Sequence, residues 1–162
     1  MQLSKYFTLG ELTPSSTAKR LGIKNNPTPA HLECLKLLAT NVLDKVREHF
    51  GKPIWISSGY RSKALNDATP GSSATSQHCS GEAADLDQDG RGTGVSNKMV
   101  FDYIKDHLTF DQLIAEFPEK GNPAWVHVSY ESTGKQRKQV LVAKKVSGVT
   151  KYIPYKSDKD LE

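Results

Sequence analysis

The chain has 162 residues, close to the length of one domain, since domains run roughly 100 to 200 residues. Hydrophobic residues make up 36% and charged residues 25%, a balance that excludes a disordered or fibrous chain. Lys and Arg outnumber Asp and Glu by 22 to 18, an excess that calls for no nucleic-acid partner but tolerates an anionic target. The longest aliphatic stretch, Val140 to Ala143, is far short of the roughly 20 apolar residues of a crossing helix, so no membrane insertion is expected. Met1 to Phe7 has no apolar signal core, which predicts a cytosolic protein or one released by another protein's machinery. Cys34 and Cys79 are the only cysteines, and two reduced thiols are expected rather than a bridge.

Residues 7 to 17 read as a helical turn and a loop, and Ser15, Ser16 and Thr17 offer caps for a brief helix ending before Gly22. The clearest helix has Thr28 as N-cap and Pro29 in its first position. Its apolar stripe is Leu32, Leu35, Ala39, Val42, Val46 and Phe50, and Gly51 and Pro53 end it. A short strand follows at Ile54 to Ser57. Ser58 to Gly81 reads as a long loop with one helical turn from Lys63 to Ala68, and loops of this length are usually functional or disordered. A strand at Glu82 to Leu86 leads into a Gly/Asp-rich turn. Ser96 then caps a helix whose inner face carries Met99 or Val100, Tyr103, Ile104 and Leu108. Phe110 to Phe117 and Trp125 to Tyr130 form a hairpin through Pro118 to Pro123. Gln139 to Lys144 and Thr150 to Tyr155 are further strands in a basic setting. Leu161-Glu162 reads as a cloning scar outside the fold. With no regular βαβ alternation, the expectation is a single α+β domain over 1–160, a small antiparallel sheet with flanking helices, and a basic C-terminal segment over 135–160.

The chemistry concentrates in Ser76-Gln77-His78-Cys79-Ser80-Gly81-Glu82-Ala83-Ala84-Asp85, where an imidazole and a carboxylate stand seven positions apart and Gly81 lets the chain turn into a strand. Alternation on Trp125-Val126-His127-Val128-Ser129 sends His127 to one face with Trp125 and Ser129, and the valines to the other. Two neutral imidazoles and one carboxylate suit a zinc ion and leave a fourth position open for water, as catalytic sites do.

Together with Ser58-Gly59-Tyr60-Arg61-Ser62 and Trp125-x-His127, the pattern Ser76-x-His78-x-x-Gly81-x-Ala83-x-Asp85 resembles the zinc D-Ala-D-Ala carboxypeptidases and related phage peptidoglycan endopeptidases. These form the fifteenth metallopeptidase family, within a broader group that includes lysostaphin-type enzymes and the hedgehog signalling domain. The resemblance runs from about Phe7 to about Tyr130. It implies one zinc per chain on His78, Asp85 and His127. It also implies Arg61 as the group that binds a substrate carbonyl or carboxylate and stabilises the oxyanion, and Ser76 as a substrate contact that could equally be a turn cap.

Several members of that family place the catalytic carboxylate three residues before the last zinc histidine, where this chain has Ala124. Glu116 is the expected substitute, because Phe110-Asp111 followed by Glu116 resembles the hedgehog-type arrangement, and the hairpin lets Glu116 approach His127. Gln112 then shares its face as a secondary pocket residue, and Glu119 in the loop is the alternative base. Ser62 to Thr75 and Pro118 to Pro123 are expected to form the pocket, on one sheet edge.

Other readings stand beside this one. Asp85-x-Asp87-x-Asp89-Gly90 begins like a calcium loop, but its twelfth position is Ser96 rather than Glu. Cys79 adjoins His78 yet faces away on an extended chain; His31, His49 and His107 read as surface residues on helices. Lys135, Arg137, Lys138, Lys144, Lys145, Lys151 and Lys156 read as a solvated surface that would favour an anionic polymer. The resemblance thus implies a monomeric zinc metallopeptidase acting on peptidoglycan stem peptides, phage or prophage encoded, that reaches the wall after release. The alternative is a catalytically inactive zinc-containing wall-binding or virion module.

Overall fold

The computed structural model describes all 162 residues. Side-chain caps decide where its helices begin. Ser15, Thr28, Ser62 and Ser96 each accept the N–H three residues on, opening α2 (Ser16–Leu21), α3 (Pro29–Leu38), α5 (Lys63–Asp67) and α6 (Asn97–His107). The short α1 is Leu9–Leu12. The long predicted helix over 28–50 is α3, a π turn (Ala39–Leu43) and α4 (Asp44–Phe50), closed by Gly51 at φ 61. The π turn rotates the buried stripe, so Leu38 and Leu43 join Leu35, Ala39, Val42 and Val46 inside, while Leu32 and Phe50 are only partly buried. On α6 the inner face takes Val100 rather than Met99, with Phe101 and Ile104 beside it.

The strands are β1 (Ile56–Ser58), β2 (Ala83–Leu86), β3 (Gln112–Glu116), β4 (Trp125–Ser129), β5 (Gln139–Val146) and β6 (Val149–Pro154). They form one sheet in the order β1-β2-β4-β3-β5-β6. The expected antiparallel sheet is therefore mixed: β3 and β5 run parallel, and every other seam is antiparallel. The parallel seam arises because the chain after β4 crosses over to the free edge of β3. Lys138 and Gln139 N–H groups donate there to the Phe110 and Asp111 carbonyls and start β5 in register.

Helices cover one face of the sheet. Leu86, Leu113, Ala115, Val126, Val128 and Val142 point into the main core against α3, α4 and α6. Each fully buried aliphatic side chain contributes about 1.5–3 kcal/mol, so a one-residue slip of β4, which would exchange Val126 and Val128 for His127, is strongly disfavoured. The opposite face therefore receives Asp85, Ile114, Glu116 and His127. Leu161, set outside the fold by the sequence reading, is instead fully buried in the main core. The 3-10 turn Asp158–Leu161 carries it back, and the Leu161 carbonyl accepts from the Gly121 N–H.

Candidate active site

On its uncovered face the sheet floors a cleft of about 840 Å³. His78, Asp85 and His127 lie there with one ligand atom each within 4.8 Å of one another. The donors come from the middle of the sheet and not, as expected, from an edge: Asp85 and His127 are cross-strand partners on β2 and β4. His78 reaches them from the 3-10 turn Gln77–Ser80, whose C-cap Gly81 at φ 78 redirects the chain toward β2. A Cβ on Gly81 would meet the His31 carbonyl oxygen at 2.6 Å, so the left-handed turn and the close packing both require glycine.

His78 is fixed from behind. Its Nδ1 stands 2.7 Å from the Gly59 carbonyl, which can only accept, so Nδ1 carries the hydrogen. Gly59 itself is held against α1, where a Cβ would meet the Leu12 carbonyl oxygen at 2.2 Å, so only glycine fits there. His78 then turns its Nε2 toward Asp85 Oδ1 at 3.4 Å, while His127 Nδ1 stands 3.0 Å from the same oxygen. Two ring nitrogens and a carboxylate oxygen converging in a largely buried place are a suitable donor set for a cation. Burial opposes charge on Asp85, but His78 and then His127 hold its carboxyl well below the usual carboxylate range.

Glu116 lines the same cleft, buried at 7% exposure beside the row that carries His127. Burial, opposed by His127 and assisted by Asp85, raises its pKa to about 7. Glu119 is exposed and outside the cleft, with its backbone paired to Asn122. Arg61 lines the cleft next to His78, whose carbonyl accepts the Arg61 N–H at 3.1 Å. Its Nε is buried and unpartnered in the protein, and an unmet buried donor costs about 1–3 kcal/mol, a debt that a substrate oxygen would cancel. Ser76 caps the 3-10 turn by accepting from the His78 N–H and also lines the cleft. Gln112 lies on the cleft face as alternation predicts, its amide donating to Gln139.

Of the two loops expected to form the pocket, residues 69–75 do so and Pro118 to Pro123 does not. The second loop instead packs toward Asp89, which accepts from the Asn122 and Asn97 amides; Asp87 also accepts from Asn97. These carboxylates of the calcium-like turn thus tie β2 to α6. Cys34 and Cys79 are free thiols, as expected, and burial raises the Cys79 pKa away from nucleophilic use. His31 is half-buried and bonds the Tyr60 hydroxyl at 3.1 Å, while His49 and His107 are exposed beside Tyr103.

The far wall was not anticipated. Arg137, Lys145, Thr150 and Tyr152 line the cleft from the basic C-terminal segment, and Arg137 holds the buried Asp111 at 2.7 Å. Alternation of Thr150 and Tyr152 was the available signal, but it gives no hint that β5 lies beside β3.

A Peptidase M15 family model matches residues 5–129, which contain His78, Asp85, Glu116 and His127. No curated protein sequence matches the chain at a significant level. With the matched segment covering four of the six strands and all three residues that could hold a metal, the chain belongs to the Peptidase M15 family.

Proposed function

We propose that this M15 peptidase is zinc-dependent and hydrolyses stem peptides of bacterial peptidoglycan, as a carboxypeptidase or an endopeptidase. One observation carries the reading: two imidazoles and a carboxylate converge within 4.8 Å on the floor of a cleft that also holds a buried carboxyl with a pKa of about 7. When bound, zinc supplies Lewis-acid polarisation of the scissile carbonyl and acidifies a coordinated water. His78 is kept in one tautomer by Gly59, and Asp85 stays ionised between its imidazoles. Glu116 takes a proton near neutral pH, where its pKa suits both gain and loss, and returns it to the departing amine. Arg61 offers its unpartnered Nε and permanent charge to a carbonyl or carboxylate of the peptide. Ser76 and Gln112 offer a hydroxyl and an amide along the cleft. A pI near 9.0 suits an anionic wall, and the resemblance to phage endopeptidases makes release from a phage-infected cell the route to it.

Ala124, standing where several family members carry the catalytic carboxylate, favours a second reading, a zinc-containing wall-binding or virion module without turnover. Incubation with purified peptidoglycan, with and without a chelator, separates the two. New amines or released amino acids that disappear on chelation support the enzyme. Wall binding with no new amine across several wall chemotypes rejects it in favour of the module.

A further inference from the structure

The hairpin of β5 and β6 lies outside the matched segment, yet it walls the cleft through Lys145, Thr150 and Tyr152. Register defines how it does so. Trp125 of β4 pairs with Glu116 of β3, Glu116 with Ala143 of β5, and Ala143 with Tyr152 of β6, so these four residues form one row across the sheet. Residues paired across strands share a face. For this row it is the cleft face, since Trp125, Glu116 and Tyr152 all line the cleft.

Two strand spacings, about 9–10 Å, separate the backbones at Glu116 and Tyr152. Between them stands Ala143, fully buried and bearing a single methyl group. The small Ala143 leaves space above it, and Glu116 and Tyr152 line the same cleft on either side. Tyr152 is 51% exposed, and its partial burial, followed by the charges of Glu116 and Asp85, pushes its pKa up. The phenol therefore keeps its proton at neutral pH and is a donor. The Tyr155 hydroxyl spends its hydrogen on Asp158, while that of Tyr152 has no acceptor within the protein.

We propose that Tyr152 is a substrate-contacting residue whose phenolic O–H donates to the oxygen of the scissile carbonyl on the Glu116 side of the site, from the end of the sheet opposite Arg61. The inference rests on the peptidase reading above and assigns a donor to a segment that the family match does not span. Such a donor acts mainly as charge develops on the oxygen, so its loss falls on kcat more than on KM.

The test measures kcat and KM of the unaltered protein, Tyr152→Phe and Lys151→Ala on soluble stem peptides released from peptidoglycan, with metal content and thermal unfolding recorded alongside. For Tyr152→Phe, kcat is expected to fall by about 100- to 1000-fold with KM little changed, metal content and unfolding temperature being unchanged. Lys151, the exposed neighbour outside the cleft, is expected to be replaceable without loss. An active parent with Tyr152→Phe at undiminished kcat overturns the Tyr152 assignment alone. A fall that accompanies lost metal or a lowered unfolding temperature overturns it too, since that marks a structural role. No turnover of any stem peptide by the unaltered protein removes the peptidase reading, and the Tyr152 assignment with it.

Discussion

On the β1 and β2 side of the cleft His78 is held by local devices, whereas Asp85 and His127 in mid-sheet, and the groups on the β5 and β6 side, are delivered by strand register. His78 is oriented by the carbonyl of Gly59, and Gly81 turns the chain into β2 so that Asp85 meets it. Tyr152, by contrast, reaches the cleft only because β5 lies along β3 and brings β6 with it. The difference teaches where tolerance lies. Metal donors must be fixed closely, and here a short turn and a buried hydrogen bond fix His78 while the central antiparallel seam fixes Asp85 against His127.

Three perturbations bear on that contrast, in falling order of effect. His78→Ala removes the most tightly oriented donor. Metal analysis is expected to find the bound ion lost, and peptidase activity to fall by more than the roughly 100-fold that loss of an outer partner costs. Retained metal with retained activity would break the division between the two walls.

Glu116→Gln is expected to keep the metal while kcat drops about 10²- to 10⁴-fold, the usual worth of a general base. The same change has a signature in stability. Folding raises the Glu116 carboxyl from its ordinary 4.5 to about 7, so the fold prefers the protonated form. The associated stability is fully present below 4.5 and is lost as pH rises through about 7. In metal-free protein, the stability gained by Glu116→Gln at pH 8 should exceed that at pH 4 by about 3 kcal/mol, read from denaturant unfolding at the two pH values. Parallel unfolding curves at both would show that the carboxyl is not desolvated.

Arg137→Ala probes the far wall and should act least. Its guanidinium is 56% exposed, so solvent screens its bonds to the buried Asp111, and a loss of about 1 kcal/mol is expected. Arg137, ahead of opposing burial, depresses the Asp111 pKa. The resulting stability is present above the ordinary carboxylate value and is lost as pH falls through the depressed one. Acid unfolding of Arg137→Ala, followed by circular dichroism, should therefore begin at higher pH. An unchanged acid midpoint would place the anchoring of this wall in the backbone pairing alone.

Much of the near wall was legible because its signals are local. His127 could be set on the polar face of β4 from alternation alone, since Val126 and Val128 must be buried. Glu116 rested on the family resemblance and the hairpin, and Gln112 followed from it by the same parity on β3. The π turn was not legible, because Leu38 and Leu43 satisfy a straight helix as an alternative stripe and only packing selects them. Nor was the burial of Leu161, whose place in the core depends on a gap formed by residues far away in sequence.

Period-two burial and short turns act over a few residues, so the faces of the strands and the caps of the helices could be read from the sequence, and the family resemblance added His78, Asp85 and His127, which lie close enough to hold a metal. Only the tertiary structure decided the strand order, the parallel seam of β3 and β5, and the row that sets Tyr152 across Ala143 from Glu116. Strand edges bond to any partner that offers matching backbone groups. The choice among them is made by the whole core closing at once, which no local segment encodes.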